Sequence, residues 1–215
     1  MLYIFDLDGT LVDSLQDLEN ACEYMLKQLN LPGHSKEEYQ YFVGNGVRKL
    51  VLRALGKENE KLYSKARELF DYYYESHCLD YTKAYDGIFE LIEQLHKDGH
   101  IIAVNTNKPG YLAKKICKKI FKNYIDYVVG QEEKLPIKPN PSGVNKIMNY
   151  YHALKKQCIF IGDSDVDILT GKNAGIKTIG VTRGNRDKEE LIAVGASFIV
   201  TNVKELELIL NKLKR

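Results

Sequence analysis

Two carboxylates separated by a single residue give the first chemistry in this 215-residue chain: Asp6-Leu7-Asp8-Gly9-Thr10, directly after the apolar run Leu2-Tyr3-Ile4-Phe5. Side chains alternate along a strand, so Asp6 and Asp8 leave on the same side, roughly 6–7 Å apart along the chain. Paired acids at the carboxyl end of a parallel strand stand where open α/β sheets bind ligands. Asp-Gly is also a turn dipeptide. At about 6% usage per residue type, however, D-x-D-G-T arises by chance in only about three of a thousand chains this long.

A second acidic cluster, Gly162-Asp163-Ser164-Asp165-Val166-Asp167, follows the apolar residues 158–161. Asp163 and Asp167 are four apart and are expected to share one helix face. N-capping and the attraction of acids to a helix start account for Asp165. Asp163, set beside the first cluster, makes an oxygen-rich cage suited to Mg²⁺. Thr106 follows the expected strand 101–105 and precedes Pro109, so its hydroxyl and nearby backbone N–H groups can hold a phosphoryl oxygen. Lys138, between Pro136 and Pro139, sits on a constrained loop after the third strand. Alone, Thr106 and Lys138 read as surface polar residues; their order at successive strand ends joins them to the acids.

Such residues converge only if the right elements carry them. β-rich runs at 2–5, 101–105, 127–129, 158–161, 178–181 and 198–200 alternate with amphipathic segments, which predicts parallel strands joined by helices. One helix carries Ile88, Leu91, Ile92 and Leu95, with Asp86 as expected N-cap and Gly99 as stop; another starts at Pro109 and a third spans 144–154. Residues 14–81 break the alternation with helical stripes (Leu15, Leu18, Cys22, Leu26, Leu29, then Leu62, Ala66, Leu69, Phe70, Tyr73, His77) and no convincing strand. The expectation is a discontinuous α/β core, 1–13 plus 82–215, with an inserted helical domain over 14–81. Lys114, Lys115, Lys118 and Lys119 flank one apolar stripe and read as a solvated face.

Together DLDGT (6–10), VNTN (104–107), the lysine of IKPNP (137–141) and GDSDVD (162–167) resemble the four motifs of the haloacid dehalogenase superfamily of phosphotransferases. The position of the insertion is similar to that family's helical cap type. Val43-Gly44-Asn45-Gly46-Val47, Thr106-Asn107-Lys108-Pro109 and Lys138-Pro139 resemble its phosphoglycolate phosphatase branch. The resemblance implies a Rossmann-like doubly wound parallel sheet, with Mg²⁺ between the acidic clusters held by Asp6, the backbone carbonyl of Asp8, and Asp163. Asp167 would support the metal through water or hydrogen-bond Lys138. Asp6 would be the nucleophile that forms an aspartyl phosphate, Asp8 the acid/base, Lys138 the charge compensator and Thr106 the group orienting the phosphoryl. Gly44, Asn45, Gly46 and Asn107 would face substrate, and Arg48 or Lys49 could reach a substrate carboxylate. Hinges are expected near 12–14 and 79–84.

The remaining composition narrows the partners. Thirty-one basic against twenty-nine acidic residues leave a net charge of +2, no general field for nucleic acid or an acidic membrane. Apolar runs fall far short of the ~20 residues a bilayer requires. Cys22, Cys78, Cys117 and Cys158 are scattered among apolar neighbours and read as core residues of a reducing compartment. With no leader visible before the first strand, the expectation is a cytoplasmic enzyme, monomer or homodimer, acting on a small phosphorylated metabolite. A sugar phosphomutase of the same superfamily and a phosphoaspartate receiver domain are the competing readings.

Overall fold

The computed structural model describes residues 1–182, 184 and 188–214. Strand β1 (Leu2–Phe5) is followed by the short β2 (Val12–Asp13), then by helices α1 (Leu15–Gln28), α2 (Lys36–Phe42), α3 (Val47–Leu55) and α4 (Tyr63–His77), with a 3₁₀ turn at Lys57–Leu62. The short β3 (Lys83–Ala84) leads into α5 (Ile88–Lys97), β4 (Ile101–Pro109), α6 (Gly110–Phe121), β5 (Tyr127–Gln131) and α7 (Ser142–Tyr150). Then come β6 (Cys158–Gly162), α8 (Asp165–Ala174), β7 (Lys177–Val181), α9 (Lys188–Ala193), β8 (Phe198–Val200) and α10 (Val203–Leu213).

Six parallel strands form one sheet in the order β5-β4-β1-β6-β7-β8, with β1 central. Numbered by succession within that sheet, this is the 3-2-1-4-5-6 order of a doubly wound fold, whose switch point lies between its first and fourth strands, here β1 and β6. Every residue of β1 is buried, and the pleat divides them: Leu2 and Ile4 pack into one apolar cluster with Ile147 of α7 and Phe160, while Tyr3 and Phe5 enter another with Ile92 of α5 and Ile116 of α6. Helices therefore cover both faces. Register does the rest: Phe5 lies opposite Val104 and Ile161, so the next residues of all three strands emerge at one edge. The Asp6 N–H donates to the carbonyl of Ile161 at 2.9 Å and carries the alignment one residue further.

Helices α1 to α4 lie between β2 and β3, and no strand occurs among the described residues between them. Leu18, Cys22 and Met25 of α1 and Ala66, Phe70 and Tyr74 of α4 belong to the same apolar cluster as Tyr3 and Phe5. On α4 the buried set is thus Ala66, Phe70 and Tyr74, one position on from the expected Tyr73 stripe, because Tyr74 turns toward the sheet while Tyr73 stacks on Tyr24 and His77.

Several boundaries differ from the sequence expectation for identifiable reasons. Gly87, not Asp86, caps α5, since its φ of 77° makes the entry turn. β4 runs on to Pro109 through a register break after Asn105, so Thr106 lies inside the irregular strand end and not beyond it. α7 ends at Tyr150, and the chain resumes as a 3₁₀ turn at Lys155–Gln157 before β6. Ser164, not Asp165, caps α8: its hydroxyl accepts from the Asp167 N–H, and the Asp167 side chain returns the bond. Asp163 therefore precedes the helix, and it shares no helix face with Asp167.

Both connections to the helical segment meet at one buried carboxylate. Asp17, in the first turn of α1, accepts from the Tyr81 N–H (3.0 Å), the Thr82 N–H (2.8 Å) and the Thr82 hydroxyl (2.6 Å), beside the antiparallel pairing of β2 with β3. Replacing it strands three donors. Asp17→Ala is expected to cost about 3 kcal/mol, and the melting temperature to fall by roughly 6–12 °C. Thermal unfolding followed by circular dichroism tests this; an unchanged melting curve would contradict the clamp.

Candidate active site

At the carboxyl edge of β1 and β6, oxygens of Asp6, Asp163 and Asp167 lie within 4.8 Å of one another, all three residues buried. Two acids come from the ends of neighbouring strands, and Asp167 reaches back from the first turn of α8. Gly162 makes that return possible: a Cβ there would collide with the Asp167 side chain. Two of the acids are held by hydrogen bonds from neighbouring hydroxyl and backbone groups. Thr10 Oγ1 donates to Asp163 Oδ1 at 2.9 Å, and the Ser164 N–H and hydroxyl donate to Asp167 Oδ2 at 3.0 and 2.7 Å.

Lys138 enters from the loop after β5 and is also buried. Its Nζ donates to Asp167 Oδ1 at 2.5 Å and lies 2.8 Å from Asp6 Oδ1. The loop itself is pinned to β4 by Asn107, whose Oδ1 accepts from the Lys138 N–H (2.8 Å) while its Nδ2 donates to the Lys138 carbonyl (3.3 Å). Asn107 thus positions Lys138.

Three carboxylates and one ammonium sum to −2 when all are charged. The imbalance shows in the acid–base chemistry. Burial, together with the neighbouring Asp167 charge, pushes the Asp6 carboxyl up to about 8 against the pull of Lys138. Burial opposes the charged form of Lys138, but Asp167 and then Asp6 outweigh it and hold the ammonium above its ordinary range. Asp6 Oδ1, although close to Lys138, receives no well-directed hydrogen bond. An under-satisfied buried oxygen in an all-carboxylate set short of positive charge suits a hard divalent cation. The residues fit a metal site.

Asp8 points elsewhere. Its Oδ1 accepts from the Ser14 hydroxyl at 2.5 Å and from Lys108 Nζ at 2.9 Å, and Lys108 reaches Oδ2 at 3.2 Å. Lys108 also donates to the Tyr74 hydroxyl of α4 at 2.6 Å. Asp6, Asp8, Thr106, Asn107, Lys108, Gly44, Gly46 and Tyr74 line one cavity between the sheet edge and the helical segment. The Thr106 hydroxyl, also buried, accepts from the Lys108 N–H at 3.3 Å. Gly44 and Gly46 adopt φ of 101° and 86°, and Gly46 passes against Asn107 closely enough that a Cβ would touch it.

The structure thus gathers Asp6, Asp8, Thr106, Asn107, Lys138, Asp163, Asp167, Gly44 and Gly46. It does not gather three others. Asn45 Oδ1 accepts from Arg53 Nη2 at 2.8 Å, the Arg48 guanidinium lies 5.0 Å from the centre of the Tyr63 ring, and Lys49 is exposed; none of the three lines the cavity. The α3 helix turns Arg48 and Lys49 outward and presents Val47 and Leu50 instead. Sequence reasoning missed Thr10, Ser14, Tyr74, Ser164 and Lys108 as site residues. Thr10 and Ser164 stand inside the two acidic motifs and Lys108 two residues after Thr106, so proximity was the available signal. Tyr74, in a run of three tyrosines, carried none.

Residues 3–181 match the haloacid dehalogenase-like hydrolase family. The phosphoglycolate phosphatase of Vibrio parahaemolyticus is 35% identical over 214 residues, covering 95% of this chain and 93% of that one. That of Pseudomonas putida is 32% identical over 213 residues, covering 95% and 78%. The crystal structure of a predicted phosphoglycolate phosphatase from Haemophilus somnus superposes with a TM-score of 0.90 at 29% identity, covering 97% and 96%. The chain belongs to the haloacid dehalogenase-like hydrolase family, as a phosphatase similar over nearly all its length to the phosphoglycolate phosphatases within it.

Proposed function

We propose that this chain is a Mg²⁺-dependent phosphatase that hydrolyses a small phosphate monoester of the phosphoglycolate type through an aspartyl phosphate on Asp6. One observation carries the reading: the Asp6 carboxylate belongs at once to the three-acid cage and to the wall of the cavity that Asp8 and Thr106 also line. A carboxylate can attack phosphorus only if the mutual repulsion of two anions is relieved. Mg²⁺ held by Asp6, Asp163 and the backbone carbonyl of Asp8, with Asp167 supporting the site through its bond to Lys138, would supply that neutralisation.

The chain's own residues do the remainder. Lys138 faces Asp6 from the buried side and compensates charge that the transferring group brings. The Thr106 hydroxyl, at the irregular end of β4, orients a phosphoryl oxygen. As the ester bond breaks, the Asp8 carboxyl gives its proton to the leaving oxygen. It then takes one from the water that attacks the acyl phosphate, so that the cycle returns Asp6 and Asp8 to their starting states. Residues 14–81 act as a cap over the core formed by 1–13 and 82–215, excluding bulk water while α4 and the Gly44–Gly46 loop face the leaving group.

Phosphate release from a panel of small monoesters, phosphoglycolate and hexose phosphates included, tests the reading. Activity should vanish on chelation and return with Mg²⁺. Interconversion of hexose phosphates without release would indicate a mutase instead, and a long-lived phosphoprotein would indicate a receiver. Asp6→Asn is expected to lose turnover to background with a melting temperature no lower than that of wild type, since it removes one of three mutually repelling buried charges. Asp8→Asn should reduce kcat by about 10²–10⁴-fold; near-wild-type rates in either purified variant would overturn its assigned role.

A further inference from the structure

The cavity beside Asp6 has an uneven chemistry that the reaction alone does not require. Its walls are mostly apolar, with Leu18, Val47, Leu50 and Phe70 among them, yet it contains one buried cation, Lys108. Among the described lining residues no other Lys, Arg or His occurs. The remaining nearby cations are committed elsewhere. Lys138 serves Asp6 and Asp167, and Arg48 rests on the Tyr63 ring. Arg67 pairs with Asp71 at 2.6 Å, which occupies the one further acid on the cavity wall.

We propose that Lys108 is the specificity-determining residue of this enzyme, receiving the carboxylate of a short hydroxy-acid phosphate while Thr106 holds its phosphoryl end. The inference rests on the phosphatase reading above and adds to it the group that recognises the leaving acid. Three features support it. Lys108 Nζ spends its three donors on Asp8 Oδ1, the Tyr74 hydroxyl and, at a longer 3.2 Å, Asp8 Oδ2, and an entering carboxylate takes the place of that longest contact. Thr106 and Lys108 are two residues apart at the irregular end of β4, in direct contact and lining the same cavity, so a phosphoryl held by the first and a carboxylate held by the second belong to one short molecule. The cavity is also small, ≈ 40 Å³, about three times the ~10–15 Å³ that one water needs by the same measure. A two-carbon acid suits that space better than a hexose does.

Selectivity follows from the walls. Between largely apolar walls an anionic group without a partner loses its hydration and gains nothing, whereas one that meets Lys108 forms a charge-assisted hydrogen bond. A neutral leaving group leaves Lys108 with Asp8 and Tyr74, as found here. Tyr74 comes from α4, so the helical segment fixes the ammonium from above while Asp8 fixes it from below.

The test compares phosphoglycolate with 2-hydroxyethyl phosphate, in which a hydroxymethyl group replaces the carboxylate, for wild type, Lys108→Met and Tyr74→Phe, with circular dichroism as the folding check. Wild type should prefer phosphoglycolate. In Lys108→Met that preference, as a ratio of kcat/KM values, should fall roughly 10–100-fold, chiefly through KM for the acid. Tyr74→Phe, which deletes one oxygen, should move the ratio the same way by a smaller factor and stands in if the lysine variant does not fold. Equal losses on both esters in the folded variants would make Lys108 a support for Asp8 alone and overturn the proposal. So would a wild-type enzyme that hydrolyses both esters equally well. Release of phosphate from no ester at all would instead overturn the phosphatase reading, and this inference with it.

Discussion

Three buried acids converge on one point, and their repulsion is the constraint around which this molecule is built. Asp6, Asp163 and Asp167 are brought together by strand register and a helix start, elements that derive their stability from apolar burial far from the site. The fold thereby imposes a charge arrangement that none of the three side chains would adopt in water. Lys138 relieves part of it, and the under-bonded oxygen of Asp6 marks where relief is incomplete. A site that is electrostatically unfinished by itself is matched to ligands that finish it.

The same logic separates the two acids of the first motif. Leu7 lies between them and is fully buried. Asp6 looks into the cage, where its neighbours are anions and one shared lysine, while Asp8 meets Ser14, Lys108 and, through the lysine, Tyr74. Two chemically identical groups thus occupy different electrostatic surroundings, the condition under which one can serve as nucleophile and the other can exchange protons. Nothing in the local sequence D-x-D dictates this; partners outside the motif do, from Ser14 close by to Lys108 on another strand.

Much of the site was nevertheless legible. The strands β1 and β8 coincide with the apolar runs read from the sequence, and Asp6, Asp8, Asp163, Thr106 and Lys138 sit at strand ends or the loops beyond them, with Asp167 in the first turn of the following helix. Helix boundaries were less legible where a positive-φ glycine or a serine hydroxyl out-competed the nearer aspartate as cap, at Gly87 and Ser164. The leaving-group side of the cavity was the least legible. Arg48 is a polar residue in a promising loop, but α3 has an apolar face that must be buried, and that demand rotates Val47 and Leu50 inward and Arg48 out. Lys108 was overlooked because a buried lysine has no pattern of its own; its partners at 8 and 74 define it only after folding.

The pairing of Val12 with Ala84 and of Asp13 with Lys83 has one more implication. It brings the departing and returning chain side by side, so the segment between them joins the sheet at one place, although its α1 and α4 also pack into the cluster of Tyr3 and Phe5. Such an attachment can lengthen, shrink or be exchanged with little penalty in closure entropy, since its ends are already joined. Diversification of what the enzyme accepts could then proceed in the appendage, while the phosphoryl-handling edge of the sheet stays untouched.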